Sequence, residues 1–178
     1  GMGICFFNAI TQKTYATIED TLTMDRRKVL VEPIANYNVL VFDQQFNGNS
    51  SISIVNTNVT RENDFRDANT SAFVFDLADK ENRFRTSGRT VMSNVNDVDG
   101  NTTGFRSELD NERIKGNFRY RFGHDFANET YDINDFGISN QNNYNNFTAG
   151  ASYEIFVPTK TFNTYQLKLT ARHRRLYK

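Results

Sequence analysis

Apolar and polar residues alternate along most of the chain, in stretches of roughly 10 to 14 residues that polar connections separate. Because successive side chains of a β-strand point to opposite faces, this alternation predicts strands. We predict nine of them, at residues 3–17, 28–46, 50–60, 70–79, 82–95, 103–111, 117–127, 145–157 and 162–176. The stretch 28–46 is long enough to hold a bend at Pro33, so one strand could be split or missed. The expected fold class is all-β, an antiparallel up-and-down meander.

The predicted connections alternate in length. Short turns are expected at residues 47–49, 80–81, 112–116 and 158–161. Longer and more polar loops are expected at residues 18–27, 61–69, 96–102 and 128–144. A barrel that runs up and down through a bilayer has short turns on the periplasmic side and long loops outside. The alternation therefore favours a segment of a transmembrane β-barrel whose first strand runs outward.

The predicted strands have one apolar and one charged face. Phe118, Tyr120 and Phe122 share a face, while Arg119 and Arg121 share the other. The residues predicted to face lipid are Phe73, Phe75, Phe118, Tyr120, Phe122, Phe147, Tyr153, Tyr165 and Leu167. The residues predicted to face a lumen are Arg83, Arg85, Arg89, Arg106, Glu108, Arg119, Arg121 and Lys168. Mixed charge on one continuous face is suited to a water-filled lumen or to contact with a plug.

A soluble β-sandwich or a lipocalin-like barrel would show the same alternation, with its apolar face turned inward. Such a protein would be a binding module, and a carbohydrate-binding sandwich would normally present aromatic platforms to solvent. The chain has no Trp, which argues against that alternative, while its sixteen Phe and eight Tyr suit the membrane barrel.

Composition limits the classes of partner and of membrane segment. Lys plus Arg equals Asp plus Glu, at 21 each, so net charge gives no reason to expect nucleic acid as a partner. The mean hydropathy of −0.63 and the lack of a long apolar run exclude a transmembrane helix, but barrel strands are only half apolar. There is no signal-peptide pattern, and the predicted strand number is odd. We therefore expect residues 1–178 to be part of one β-barrel domain, excerpted from a longer chain.

Motifs for catalysis are missing, and we predict no catalytic residue and no cofactor. The two histidines have no second ligand at metal spacing. His124 beside Asp125 could act as a base with its orienting group, and Asp135 would be a third candidate in an enzyme with its site in the outer loops.

Asp97 and Asp99 form a weak calcium candidate, because alternate oxygen ligands followed by a glycine begin a calcium loop. An Asp-Gly turn in a hairpin is the simpler interpretation of this segment. We predict no metal site.

Several segments resemble an uncharacterised family of large outer-membrane barrel proteins. They are residues 3–11, 31–33, 36–41, 43–46, 50–61, 65–69, 131–135 and 158–163. In that family the barrel follows a domain similar to family-9 carbohydrate-binding modules. The resemblance implies the outer membrane of a Gram-negative bacterium, with outer-membrane lipid, other envelope proteins or a plug domain of the same chain as partners. It supplies no reaction, and we expect a structural or transport segment of the barrel.

Overall fold

A nine-stranded antiparallel sheet dominates the fold. The computed structural model describes residues 1–63, 65–137 and 141–178, which contain eleven strands and no helix. The strands are β1 (Met2–Thr11), β2 (Thr14–Glu19), β3 (Arg26–Glu32), β4 (Ala35–Phe46), β5 (Ser50–Arg61), β6 (Asp67–Ala78), β7 (Phe84–Asp97), β8 (Gly100–Arg113), β9 (Phe118–Ala127), β10 (Tyr144–Ile155) and β11 (Tyr165–Arg175). The main sheet has the order β1-β4-β5-β6-β7-β8-β9-β10-β11, and β2 pairs with β3 alone. The predicted all-β antiparallel meander is confirmed, and the sheet is open, with β1 and β11 at its edges.

Two predicted strands are each divided in the structure. The stretch 3–17 separates into β1 and β2, and the stretch 28–46 separates at Pro33 into β3 and β4. Proline has no backbone N–H and cannot continue a ladder of hydrogen bonds, which explains the second break.

The segment 18–27, predicted to be a loop, instead closes the β2–β3 hairpin. The Asp20 carboxylate accepts hydrogen bonds from the backbone N–H groups of Leu22 (2.8 Å) and Thr23 (3.2 Å). An aspartate that satisfies the backbone within its own turn favours a tight reversal of the chain. The first connection of the main sheet is therefore a hairpin rather than an irregular loop.

The prediction of strictly alternating connection lengths is wrong. Residues 47–49 turn tightly, as predicted, with positive φ at Asn47 (50°) and Gly48 (75°). Residues 98–99 alone join β7 to β8, although a longer loop was expected there. The Asp97 side chain accepts a hydrogen bond from the N–H of Asp99 (2.9 Å), which allows the shorter turn. Residues 156–164 join β10 to β11 where a four-residue turn was predicted.

The strand register separates apolar from charged side chains, because directly paired residues of an antiparallel sheet share a face. We call one side the apolar face. It carries Ile4, Phe6, Leu40, Phe42, Ile52, Ile54, Phe73, Phe75, Leu77, Met92, Phe105, Leu109, Phe118, Tyr120, Phe122, Phe126, Phe147, Tyr153, Tyr165, Leu167 and Leu169. We call the other side the polar face. Its charged residues are Asp43, Arg61, Asp76, Arg85, Arg89, Asp97, Arg106, Glu108, Asp110, Glu112, Arg119, Arg121, Asp125, Glu154, Lys168, Arg172 and Arg174.

The buried core lies on the polar face, at the end of the strands where residues 128–143 connect β9 to β10. We call the described residues of this connection, 128–137 and 141–143, the β9–β10 loop. One buried cluster joins Ala35, Val59, Ala68 and Val95, with Phe136 of the loop packed against it. A second joins Val91, Ala127 and Tyr131, and Ile133 packs against it. The loop therefore folds over the sheet rather than away from it.

Candidate functional site

The β9–β10 loop makes its closest approach to the sheet at Gly104. A Cβ atom at this position would lie 2.3 Å from the Cα of Tyr131 and 2.4 Å from the carbonyl oxygen of Thr130. Any larger residue would therefore collide with the loop backbone. Tyr131 is 4% exposed, and the N–H of Asp132 donates a hydrogen bond to the Oγ of Ser93 (3.2 Å). The loop is seated on the polar face by shape as well as by hydrogen bonding.

Ion pairs hold the distal part of the loop to β5 and to the connection after it. The Asp135 carboxylate lies 2.9 Å from the guanidinium groups of both Arg61 and Arg66. Arg66 also donates a hydrogen bond to Asp132 at 2.9 Å. The side chains of Asp135 and Arg61 are only 6% and 11% exposed, so water screens their interaction little. Because Asp135 has two arginine partners, loss of one arginine leaves the other in place, whereas loss of the Asp135 carboxylate leaves Arg61 with only Glu32, at 3.6 Å.

Hydrogen bonds and ion pairs around the loop favour the charged forms of Asp132 and Arg66. Burial alone would raise the pKa of Asp132, but hydrogen bonds from the Asn134 backbone and from Arg66 outweigh it and hold the pKa below its usual value. Burial would likewise lower the pKa of Arg66, and its two aspartate partners raise it instead. Asp132 and Arg66 therefore remain ionised at neutral pH.

Beyond the loop, the polar face carries a network of ion pairs between neighbouring strands. The N–O distances are 2.9 Å for Arg89–Glu108, 3.3 Å for Arg106–Asp125, 2.7 Å for Arg121–Asp110 and 3.5 Å for Arg119–Glu154, and Arg85 pairs with Asp76. Exposed ion pairs each contribute at most about 1 kcal/mol to stability. The network therefore contributes little to folding, and it makes this surface hydrophilic.

The opposite surface is hydrophobic and uncovered. Phe73 is 44% exposed, Phe122 is 58% exposed and Leu169 is 74% exposed. Soluble monomeric proteins rarely expose contiguous apolar patches larger than a few hundred Å². All nine residues that were predicted to face lipid lie on this apolar face.

A row of amide side chains borders the apolar face at the end where the β9–β10 loop lies. Register places Asn8, Asn38, Asn58, Asn69 and Asn94 side by side on β1 and β4 to β7. The Asn8 amide donates a hydrogen bond to the Asn38 side chain at 2.8 Å. We call these five residues the asparagine row. It borders the apolar surface with neutral amides, and Ile10 and Asp67 lie beyond it on the same face.

Seven of the eight residues predicted to face a lumen lie on the polar face; the exception is Arg83. Arg83 was expected inside the strand 82–95, whereas the structure begins β7 at Phe84 and leaves Arg83 in the preceding connection. The Asp79 carboxylate accepts hydrogen bonds from the backbone N–H groups of Arg83 and Phe84 (2.8 Å for Phe84). This capping ends the ladder before Arg83.

The residues considered for catalysis do not form one site. His124 and Asp125 are neighbours in a strand and lie on opposite faces of the sheet. The His124 ring stacks on Phe147 with centroids 4.4 Å apart, and its Nε2 lies 2.9 Å from the Asn145 side chain. Asp125 pairs with Arg106, and Asp135, in the β9–β10 loop, pairs with Arg61 and Arg66. The structure does not bring the three candidates together.

The segment considered for calcium is a hairpin turn. Asp97 uses a carboxylate oxygen to accept the N–H of Asp99, and Gly100 has a φ of 116°. Glu108, the position at which a calcium loop would supply its last ligand, lies on the polar face and pairs with Arg89. In the part of the chain that the structure describes, no three His, Cys, Asp or Glu residues cluster as metal ligands.

The packing of the β9–β10 loop against the polar face was not predicted from the sequence. Tyr131, Ile133 and Phe136 interrupt an otherwise polar segment, and all three pack against the sheet. The Phe136 ring meets Tyr37 edge-on, with centroids 5.9 Å apart. Large apolar residues at short intervals within a polar loop were the signal that could have revealed this contact.

Comparison with known proteins gives a family and no activity. Across residues 1–63, 65–137 and 141–178 there is no helix that could span a membrane. No curated protein and no solved structure matches the chain. The sequence does match a domain of unknown function, DUF5916, along residues 1–178. Because the match covers the whole sequence, the chain belongs to the DUF5916 family.

Proposed function

We propose that this chain forms part of the wall of an outer-membrane β-barrel in a Gram-negative bacterium. In this proposal the apolar face lies against lipid, and the polar face lines a water-filled lumen that the β9–β10 loop narrows. The DUF5916 region would then be the barrel that, in the family it resembles, follows a domain similar to family-9 carbohydrate-binding modules. Its role is structural or in transport. The observation that carries the proposal is an exposed apolar face backed by a charged one in a single sheet.

The apolar surface runs diagonally across the strands, as strand tilt in a barrel requires. The strand register places Ile4 on β1, Phe73 on β6 and Arg175 on β11 in one row that crosses the sheet from strand to strand. The apolar stretch of β11 is centred near Leu169, six residues before Arg175. That displacement is about 20 Å along the strand, over about 38 Å across eight strand steps. The resulting tilt of roughly 30° approaches the 35–45° typical of barrels.

The dimensions of the strands also support a bilayer-spanning sheet. β1 and β9 are the shortest strands of the main sheet, with 10 residues each, and β7 and β8 have 14. A tilted strand needs about 9 to 11 residues to cross the hydrocarbon core. The asparagine row would then lie at one interface, where neutral amides can meet lipid headgroups and water.

The β9–β10 loop fits the same arrangement. Barrel interiors are polar, and in some barrels loops fold inward and obstruct the lumen. Here the loop covers Val59 and Val95 on the polar face and leaves Arg119 and Lys168 uncovered, near the other end of the strands. The proposed lumen would be narrow beneath the loop and wider and charged beyond it.

Fractionation of the full-length native protein tests the proposal. We expect recovery in the outer-membrane fraction and, in mild detergent, a folded band on a gel that migrates faster than the heated sample. Recovery in the aqueous fraction without such a band would overturn the proposal. The apolar face would then have to be covered by a second protein layer, as in a β-sandwich.

A further inference from the structure

Three cations on the polar face of β11 have no acidic partner among the residues that the structure describes. Lys168, Arg172 and Arg174 share this face because they occupy alternate positions of one strand. Within residues 1–63, 65–137 and 141–178, no carboxylate lies within 4.0 Å of their charged groups. Most cations of the neighbouring strands are paired, which makes these three exceptional on this face.

Three of the nearby acids are engaged by arginines, and the fourth, Glu112 on β8, lies directly opposite Arg121. Asp110 on β8 pairs with Arg121 at 2.7 Å, and Glu108 pairs with Arg89 at 2.9 Å. Glu154 on β10 lies 3.5 Å from Arg119. The polar face of β9 to β11 therefore has an excess of positive charge that its own carboxylates do not neutralise.

The surface between these cations is a trough with an open floor. Thr148 and Gly150 of β10 lie between Arg121 on one side and Arg172 and Lys168 on the other, in a depression of about 300 Å³. Gly150 contributes no side chain, so the floor is backbone. The hydroxyl groups of Thr148 and Thr170 line the same trough and can donate hydrogen bonds, whereas the Ser152 hydroxyl already donates to Glu154 (3.3 Å). Glu112 also lines the trough.

We propose that this trough binds an oxyanion of the phosphate class, held by Arg121, Lys168 and Arg172 with the threonine hydroxyl groups as additional donors. Arginine forks match the geometry of phosphate oxygens, and charge-assisted hydrogen bonds are the stronger kind. The inference rests on the proposed function only for its location: in the barrel the trough lies in the lumen, on the path of solutes. A phosphorylated solute would pause there on its passage.

A calorimetric titration tests the inference. Inorganic phosphate is added to the full-length protein in detergent, and the heat of binding is measured. We expect saturable binding that Arg172→Gln and Lys168→Gln each weaken roughly tenfold, since each removes a charge-assisted hydrogen bond. Arg172→Lys retains the charge and should recover part of the affinity. Arg175→Gln is the matched control, because Arg175 lies on the same strand but on the opposite face. It should leave phosphate affinity unchanged.

Two results would overturn the inference: no saturable phosphate binding by the wild type, or equal weakening by Arg175→Gln and Arg172→Gln. Equal weakening would mean that only the overall charge matters. The migration of folded and heated samples verifies that each variant folds. Because binding is measured without a membrane, its failure can be told apart from a failure of the protein to reach the outer membrane.

Discussion

Replacing Phe73 with arginine places a charge near the middle of the apolar face. Phe73 is 44% exposed and stands four residues from Asn69 of the asparagine row. That separation is about 13 Å along the strand, or about 11 Å in depth at a tilt of roughly 30°. The apolar band of an outer-membrane barrel is about 25 Å tall, so Phe73 would lie close to its middle. Arginine at the midplane costs about 2–4 kcal/mol, and we expect Phe73→Arg to lower the free energy of unfolding by that amount.

Val74→Arg is the matched control, because Val74 is the next residue and lies on the polar face. Its side chain is half-buried, with Arg89 directly opposite on β7 and Asp76 two positions further on the same face, so repulsion from Arg89 is included in the expected loss. We expect a loss of about 1 kcal/mol or less there. The assay is refolding from urea into phospholipid vesicles, with the free energy of unfolding taken from urea titration. If Val74→Arg were as damaging as Phe73→Arg, or more so, the assignment of the apolar face to lipid would be wrong.

Two further predictions concern the β9–β10 loop. Gly104→Ala should lift the loop and destabilise the protein by about 1–3 kcal/mol, because the new Cβ meets backbone atoms of Tyr131. Hydrogen exchange at Tyr131 should become faster, whereas Gly150→Ala, whose nearest neighbour would be 3.6 Å away, should leave it unchanged. Asp132 has a folded pKa below its ordinary value of 3.8, so its contribution to loop stability is present above that pH and is lost as the pH falls through the folded value. Hydrogen exchange of the Asp132 backbone amide should therefore show no transition to an open loop from about pH 5 to 8. Below pH 3.8 the loop should open more often and exchange should become faster. Loop opening at neutral pH would contradict this account.

The two faces could be predicted from sequence because alternation along a strand is a local property. In Phe118–Phe122 the aromatic and the arginine side chains must separate whenever the backbone is extended. The break at Pro33 follows from the same kind of local rule, since a missing N–H ends a ladder. These features need no knowledge of distant contacts.

Features that depend on contacts between distant residues could not be predicted in this way. The β9–β10 loop is held by Gly104, by Tyr37 and by Arg66, which are separated from it by many residues along the chain. The start of β7 could not be predicted either. The Asp79 carboxylate caps the turn, so that β7 begins at Phe84 and leaves Arg83 outside it. The alternation of apolar and polar residues does not contain that information. The candidate trough could not be predicted for the same reason: the order of its strands was predicted, but the register that brings Arg121 and Arg172 to either side of β10 was not.

The asparagine row has a consequence for how such a sheet would be held at a fixed depth. Many membrane proteins fix their position with lysine, arginine or aromatic side chains at the interface, and the charged ones among them respond to salt and to anionic lipid. Amides such as Asn8 and Asn38 neither titrate nor carry a net charge, and Asn8 donates a hydrogen bond to Asn38. A border of this kind would keep its position through changes in the acidity and ionic strength of the surrounding medium. In an envelope protein, the depth of the sheet in the membrane would then not depend on the pH or the salt concentration outside the cell.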